Sequence, residues 1–145
     1  MTNFKFKLQK LLDIRTKEED ESKLLYSQAQ NEKKIIENKL FKLEENYKKY
    51  SDISMAKDTI TQKITINYLA SLNRDIKDTI KELEEKENKV NEAKKDFIDK
   101  RIKRKSLEIL KENKISEIKK EEQRLEQITN DEFALYGYIR KISNL

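Results

Sequence analysis

The sequence predicts an all-α protein, a long antiparallel two-helix coiled-coil hairpin whose C-terminal helix overhangs the N-terminal one. Three observations carry this. Apolar residues make up only 35% of the 145-residue chain and charged residues 42%, too little grease for a broad core but enough for a seam needing two apolar positions in seven. One glycine and no proline occur, which argues against disorder and against a loop-rich or β-rich domain. The apolar residues recur in steps of three and four.

The first helix is expected over about residues 2–50. Its ladder runs through Leu8, Leu11, Ser22, Leu25 and Ala29, then through Ile36, Leu40, Leu43, Tyr47 and Tyr50. The two stretches are out of phase, which predicts a stutter between Ala29 and Ile36. Arg15 and Glu18 fall on the same line and weaken the seal.

A loop is expected over 51–58, SDISMAKD, where Ser51, Asp52, Ser54 and Asp58 favour turns and caps. The following TITQKITIN is β-branched and alternating. A lone strand would have no partner, so it reads as a frayed helix start capped by Asp58 or Thr59.

The second helix is expected over about 59–141. Leu72, Ile76, Ile80, Leu83, Val90 and Phe97 keep a heptad spacing, which drifts through Ile102, Leu107, Leu110 and Ile118. It returns at Leu125, Ile128, Leu135, Ile139 and Ile142, with Gly137 marking fraying. If Tyr50 faces residue 60, paired numbers sum to about 110, and the second helix overhangs by about 35 residues, or about 50 Å. An amphipathic helix without packing is marginal, so the overhang calls for a covering partner or a second copy.

The chemistry available is limited. With no cysteine and no histidine, thiolates and the commonest general base and metal ligand are missing. Carboxylate pairs such as Glu18-Glu19 and Glu121-Glu122 have no pocket to tune them in a two-helix rod, and no glycine-rich phosphate loop occurs. The chain therefore reads as a non-enzyme without cofactors or metals. No apolar run approaches a membrane span and no signal peptide is evident, so a cytoplasmic location without membrane insertion is expected.

Net charge is +5, from 33 basic and 28 acidic residues with interspersed signs. That suits a solvated helix better than a nucleic-acid footprint. The run Lys100-Arg101-Ile102-Lys103-Arg104-Lys105 is the strongest cluster. It would suit an acidic protein, a phosphate backbone or an anionic lipid surface, but acids flank it and no stacking platform adjoins it, so nucleic acid is not an expected partner. Aromatics gather at the tip (Tyr47, Tyr50, Tyr68) and on the overhang (Phe133, Tyr136, Tyr138), where partner binding is expected.

The ends carry a resemblance. Phe4-Lys5-Phe6-Lys7-Leu8-Gln9-Lys10-Leu11-Leu12-Asp13-Ile14-Arg15, followed by Glu18-Glu19-Asp20-Glu21, resembles the F-x-F-x-L-Q-x-L-L-x-x-R start of the flagellar FliJ family. Glu121-Glu122-Gln123 through Asp131-Glu132-Phe133-Ala134 is similar to that family's charged tail. Leu43, Tyr47 and Tyr50 before the loop and Asn67-Tyr68 after it also fit, and the likeness spans nearly the whole chain.

The resemblance implies a stalk-like component of the bacterial flagellar type III protein export apparatus, serving motility. Its expected partners are the export ATPase ring, the cytoplasmic domain of the export gate and export chaperones, and it would work at the inner face of the cell membrane, peripherally, at the flagellar base. It assigns gate binding to Leu43, Tyr47, Tyr50, Tyr68, Leu72 and Ile76 at the tip. It assigns ATPase binding to the end bearing both termini: Phe4, Leu8, Leu11, Leu125, Ile128, Phe133, Leu135 and Ile139. Weak self-association through the overhang is a further expectation. The competing readings are a self-associating tether and, behind it, a basic helix binding nucleic acid or a membrane surface.

Overall fold

The computed structural model describes residues 4–53 and 58–144, the side chain of Ile53 excepted. It contains α1 (Gln9–Ile53) and α2 (Thr59–Ser143), and no strand among the described residues. The chain divides into two compact units, one formed by Lys17–Arg101 and the other by Met1–Thr16 with Ile102–Leu145.

In the Lys17–Arg101 unit the two helices run antiparallel. Tyr26 meets Phe97 with ring centroids 6.0 Å apart, Lys33 reaches Glu87, Lys39 reaches Glu82, and Tyr50 meets Tyr68. In an antiparallel pair the numbers of facing residues have a constant sum, and here it is about 120, not the expected value of about 110. The tyrosines at the tip set this register: Tyr50 packs edge-on against Tyr68, centroids 4.9 Å apart at 79°, a favoured geometry for two ring quadrupoles.

Burial shows one unbroken heptad on each helix. From Ser22 to Tyr50 the half-buried or buried positions of α1 are Ser22, Tyr26, Ala29, Lys33, Ile36, Leu40, Leu43 and Tyr50. The expected stutter is therefore absent. Tyr26, not Leu25, stands on the seam; Leu25 is exposed, and Lys33 fills the position that looked like a gap. Steps alternating between three and four persist because Lys33 buries its methylene stem and sends its ammonium outward. On α2 the facing line is Thr65, Leu69, Leu72, Ile76, Thr79, Leu83, Lys86, Val90, Ala93, Phe97 and Lys100. Thr79 replaces the expected Ile80: Thr79 is 2% exposed and Ile80 48%. The threonine hydroxyl costs little there because it donates to the Asp75 carbonyl at 2.7 Å.

α2 starts where its cap dictates. The Thr61 amide donates to Asp58 Oδ1 at 3.3 Å, and the Gln62 amide to the Asp58 carbonyl at 3.0 Å, so Asp58 is the N-cap. The β-branched stretch after it is helical. α1 continues through Ser51, Asp52 and Ile53, beyond the expected end; residues 54–57 of the expected loop lie outside the described residues. With Tyr50 opposite Tyr68, the first turns of α2 stand past the last described turn of α1, and Ile60 and Ile64 are 71% and 65% exposed.

In the other unit the described residues before the helix, from Phe4, are extended, not helical as expected, and α1 starts only at Gln9. Phe4 and Phe6 are half-buried while Lys5 and Lys7 are exposed, the two-residue alternation of an extended segment. A turn joins it to the helix, with the Gln9 amide donating to the Phe6 carbonyl at 3.1 Å. Within this unit α2 is half-buried at Arg104, Leu107, Lys111 and Ile118, while Ile102 and Leu110 are more exposed, so the expected drift does not occur. Every residue from 119 to 144 is exposed. The bare segment is thus about 26 residues, or about 39 Å at the α-helical rise, shorter than expected. Gly137 does not end the helix. A Cβ there would meet nothing within 4 Å, and α2 continues to Ser143 with Arg140 and Lys141 in its last turn, where cations suit the macrodipole.

Candidate interaction surfaces

At the tip, the six residues assigned to gate contact divide by accessibility. Leu72 is buried at 4% exposure, and Leu43, Tyr50 and Ile76 are half-buried on the seam. Tyr47 and Tyr68 show part of their rings to solvent. Beside Tyr68, Ile64 and Ile60 precede it at intervals of four and continue the same exposed face of α2. Sequence reasoning missed these two isoleucines because it took TITQKITIN for a frayed start. The signal was their four-residue spacing.

At the terminal end, Phe4, Lys5, Phe6, Lys7 and Leu8 lie along Leu110 and Lys114, with an open groove of about 380 Å³ between them. A second groove of about 460 Å³ runs between Phe4–Lys10 and Lys111. Leu11 is half-buried and its neighbour Leu12 is buried. Farther along α2, Leu125, Ile128, Leu135, Ile139 and Ile142 are between 42% and 59% exposed. They continue the three-and-four alternation of Arg104, Leu107, Lys111 and Ile118. Phe133 lies one residue off this line, and the exposed Tyr136, three residues on, shares its face.

Two seam positions on the bare segment are acidic, Glu121 and Glu132. Arg124 donates to Glu121 from Nη2 at 2.6 Å and from Nε at 3.1 Å. This hydrogen bonding, with the attraction of the guanidinium, holds the Glu121 carboxyl below the usual carboxylate range and raises Arg124.

The basic run is divided between faces. Lys100 and Arg104 are half-buried on the seam side, and Arg104 pairs with Glu108; Arg101, Lys103 and Lys105 are exposed. The cations do not form one continuous outward face, which weakens the reading of the run as a nucleic-acid or lipid footprint. Among the described residues no acidic cluster suited to a metal ion occurs, and no helix is long and apolar enough to cross a membrane.

Two long helices, antiparallel along a continuous heptad seam, define an all-α coiled-coil hairpin protein. Residues 4–143 match the family of the flagellar FliJ protein, and the chain belongs to that family. It is accordingly a component of the flagellar protein export apparatus and interacts within that assembly. The family is a structural and export component, not one known for enzymes. No curated protein and no solved structure gives a match.

Proposed function

We propose that this chain is the stalk of the export apparatus, docking on the export ATPase ring through its terminal end and on the cytoplasmic domain of the export gate through its hairpin tip. It acts in the cytoplasm, held peripherally at the inner face of the membrane by these contacts, and it escorts export chaperones. The observation that carries the reading is the stripe Leu125, Ile128, Leu135, Ile139 and Ile142, which the chain's own described residues leave uncovered. Burying such side chains is worth about 25 cal/mol per Å², so the stripe supplies a docking energy realised only with a partner.

The terminal-end residues expected to meet the ATPase would form this surface in two parts. Phe4, Leu8 and Leu11 line or adjoin the groove with Leu110, and Leu125, Ile128, Leu135 and Ile139 form the stripe beyond it. Phe133 extends the contact to the neighbouring face. At the tip, Tyr47 and Tyr68 are reachable at once, with Ile60 and Ile64 enlarging the patch. Leu43, Tyr50, Leu72 and Ile76 support it from within the seam.

The experiment is association with the export ATPase and stimulation of its ATP hydrolysis, comparing the natural chain with Leu125→Asp/Ile128→Asp/Leu135→Asp. The triple variant loses both, because three charges would be desolvated on docking. Unchanged binding and stimulation overturn the terminal-end assignment. A parallel comparison of Ile60→Asp/Ile64→Asp in binding to the gate domain tests the tip, and wild-type affinity there refutes it.

A further inference from the structure

We infer that the bare part of α2 is also a self-association surface, on which two copies of this chain pair as an antiparallel two-stranded coil. The occupant follows from the pattern of the surface. The seam positions Leu107, Lys111 and Ile118 are followed, with no change of phase, by Leu125, Ile128, Leu135, Ile139 and Ile142. The stripe therefore continues the half-buried line by which α2 packs on the rest of its own chain in this unit, with the spacing that knobs-into-holes packing requires. A segment from a second copy presents the same alternation and is complementary to it.

The two glutamates on the seam choose the register. Setting Leu125 against Ile128 of the partner copy would place Glu121 opposite Glu132 twice, carboxylate against carboxylate. The intermediate register, Leu125 against Leu135, would bury Glu132 against Ile128 and Glu121 against Ile139, each twice; setting Leu125 against Ile142 and Ile128 against Ile139 avoids both. It gives apolar layers at both ends, places Glu132 beside Leu135 in the middle, and leaves Glu121 outside the paired length. Two helices paired over this length bury on the order of 1,000 Å² in total, the lower edge of specific association. A polar residue at the centre of a coiled-coil seam sets register at a cost in stability. The dimer is accordingly weak and reversible. Because it covers the stripe that the stalk reading assigns to the ATPase, dimerisation and docking exclude one another, and the pairing shields the apolar face of chains not yet docked.

The test uses the full chain alone, so its outcome is independent of whether the ATPase binds. Sedimentation velocity from low micromolar to near-millimolar concentration shows the natural chain moving from monomer to dimer. Leu125→Asp/Leu135→Asp stays monomeric over that range, and Glu132→Leu tightens the dimer at least about tenfold. Since the chain has no cysteine, direction is read from single cysteines. An equimolar mixture of Leu125→Cys and Ile142→Cys chains gives the mixed disulfide-linked dimer on oxidation, and Leu125→Cys alone does not link. A natural chain and a Glu132→Leu variant that both remain monomeric, a dimer indifferent to the aspartates, or linkage of Leu125→Cys to itself would each overturn the inference.

Discussion

Lys86 donates from Nζ to Glu32 Oε2 at 3.2 Å, and Lys33 answers from the other helix with its Nζ 3.5 Å from Glu87 Oε1. Both lysines stand on the seam, so two cations sit opposite one another where a coiled coil ordinarily places leucine. Each is steered to a carboxylate flanking the other, and the two pairs fix the helices in register. Partly exposed pairs contribute only about 0.2–1 kcal/mol each. Lys33→Leu/Lys86→Leu is therefore expected to stabilise the hairpin by about 1–3 kcal/mol in urea unfolding, since well-packed apolar residues equal or exceed such pairs. Lys33→Ser, which removes the buried stem and the pair to Glu87, lowers stability by about 1 kcal/mol in the same assay.

Thr79 is the most deeply buried side chain of α2, and its hydroxyl bonds only to its own helix. Thr79→Val keeps the shape and removes a hydroxyl whose acceptor already serves the helix ladder. The variant should unfold at a higher temperature, by about 0.5–1.5 kcal/mol of added stability. Leu72→Ala, about one turn from Tyr68, loses about 2–4 kcal/mol by cavity formation and lost transfer energy.

Glu121 gives a pH signature. Its carboxyl titrates below the usual range because Arg124 hydrogen-bonds to it. A carboxyl depressed in the folded state contributes stability that is fully present above its unfolded pKa and is lost as pH falls through the folded value. Side-chain carboxyl NMR should place the Glu121 midpoint below that of an unpaired glutamate, and Arg124→Ala should move it upward. An unmoved midpoint would show that the pair does not persist in solution.

The bare segment should differ from the hairpin in hydrogen exchange. Residues 119–144 are exposed on every face and are held by local bonds such as Gln127 Nε2 to Asp131 Oδ1 at 3.3 Å. A single helix is marginal in water, so its amides should exchange orders of magnitude faster than those of residues 72–97. On the stalk reading proposed above, adding the export ATPase should slow exchange in this segment selectively.

The helical hairpin was legible because periodicity and the absence of breakers are local properties. The cap was legible too: Asp58 precedes a helix, and a short polar side chain before a first turn has one preferred use. The seam was only partly legible. Choosing the most apolar residue at each step selected Leu25 over Tyr26 and Ile80 over Thr79, and produced a stutter and a drift that do not exist. The helices instead keep strict phase and accept lysine and threonine on the seam, because long stems and self-bonded hydroxyls tolerate burial. Of the terminal-end residues named from sequence, Leu125, Ile128, Leu135 and Ile139 share one exposed face. Phe133 does not, and Ile60 and Ile64 at the tip were missed.

Composition and spacing by themselves determined that this chain forms two long helices with a thin apolar line and that the second outruns the first. They act through backbone hydrogen bonds and side-chain periodicity within a few residues of one another. Only the tertiary structure decided the pairing register, and with it the length of bare helix and the exposure of the isoleucines at the tip. Register depends on contacts between residues far apart in sequence, here Tyr50 with Tyr68 and the crossed lysine–glutamate pairs, and many offsets satisfy the same heptad until those contacts select one.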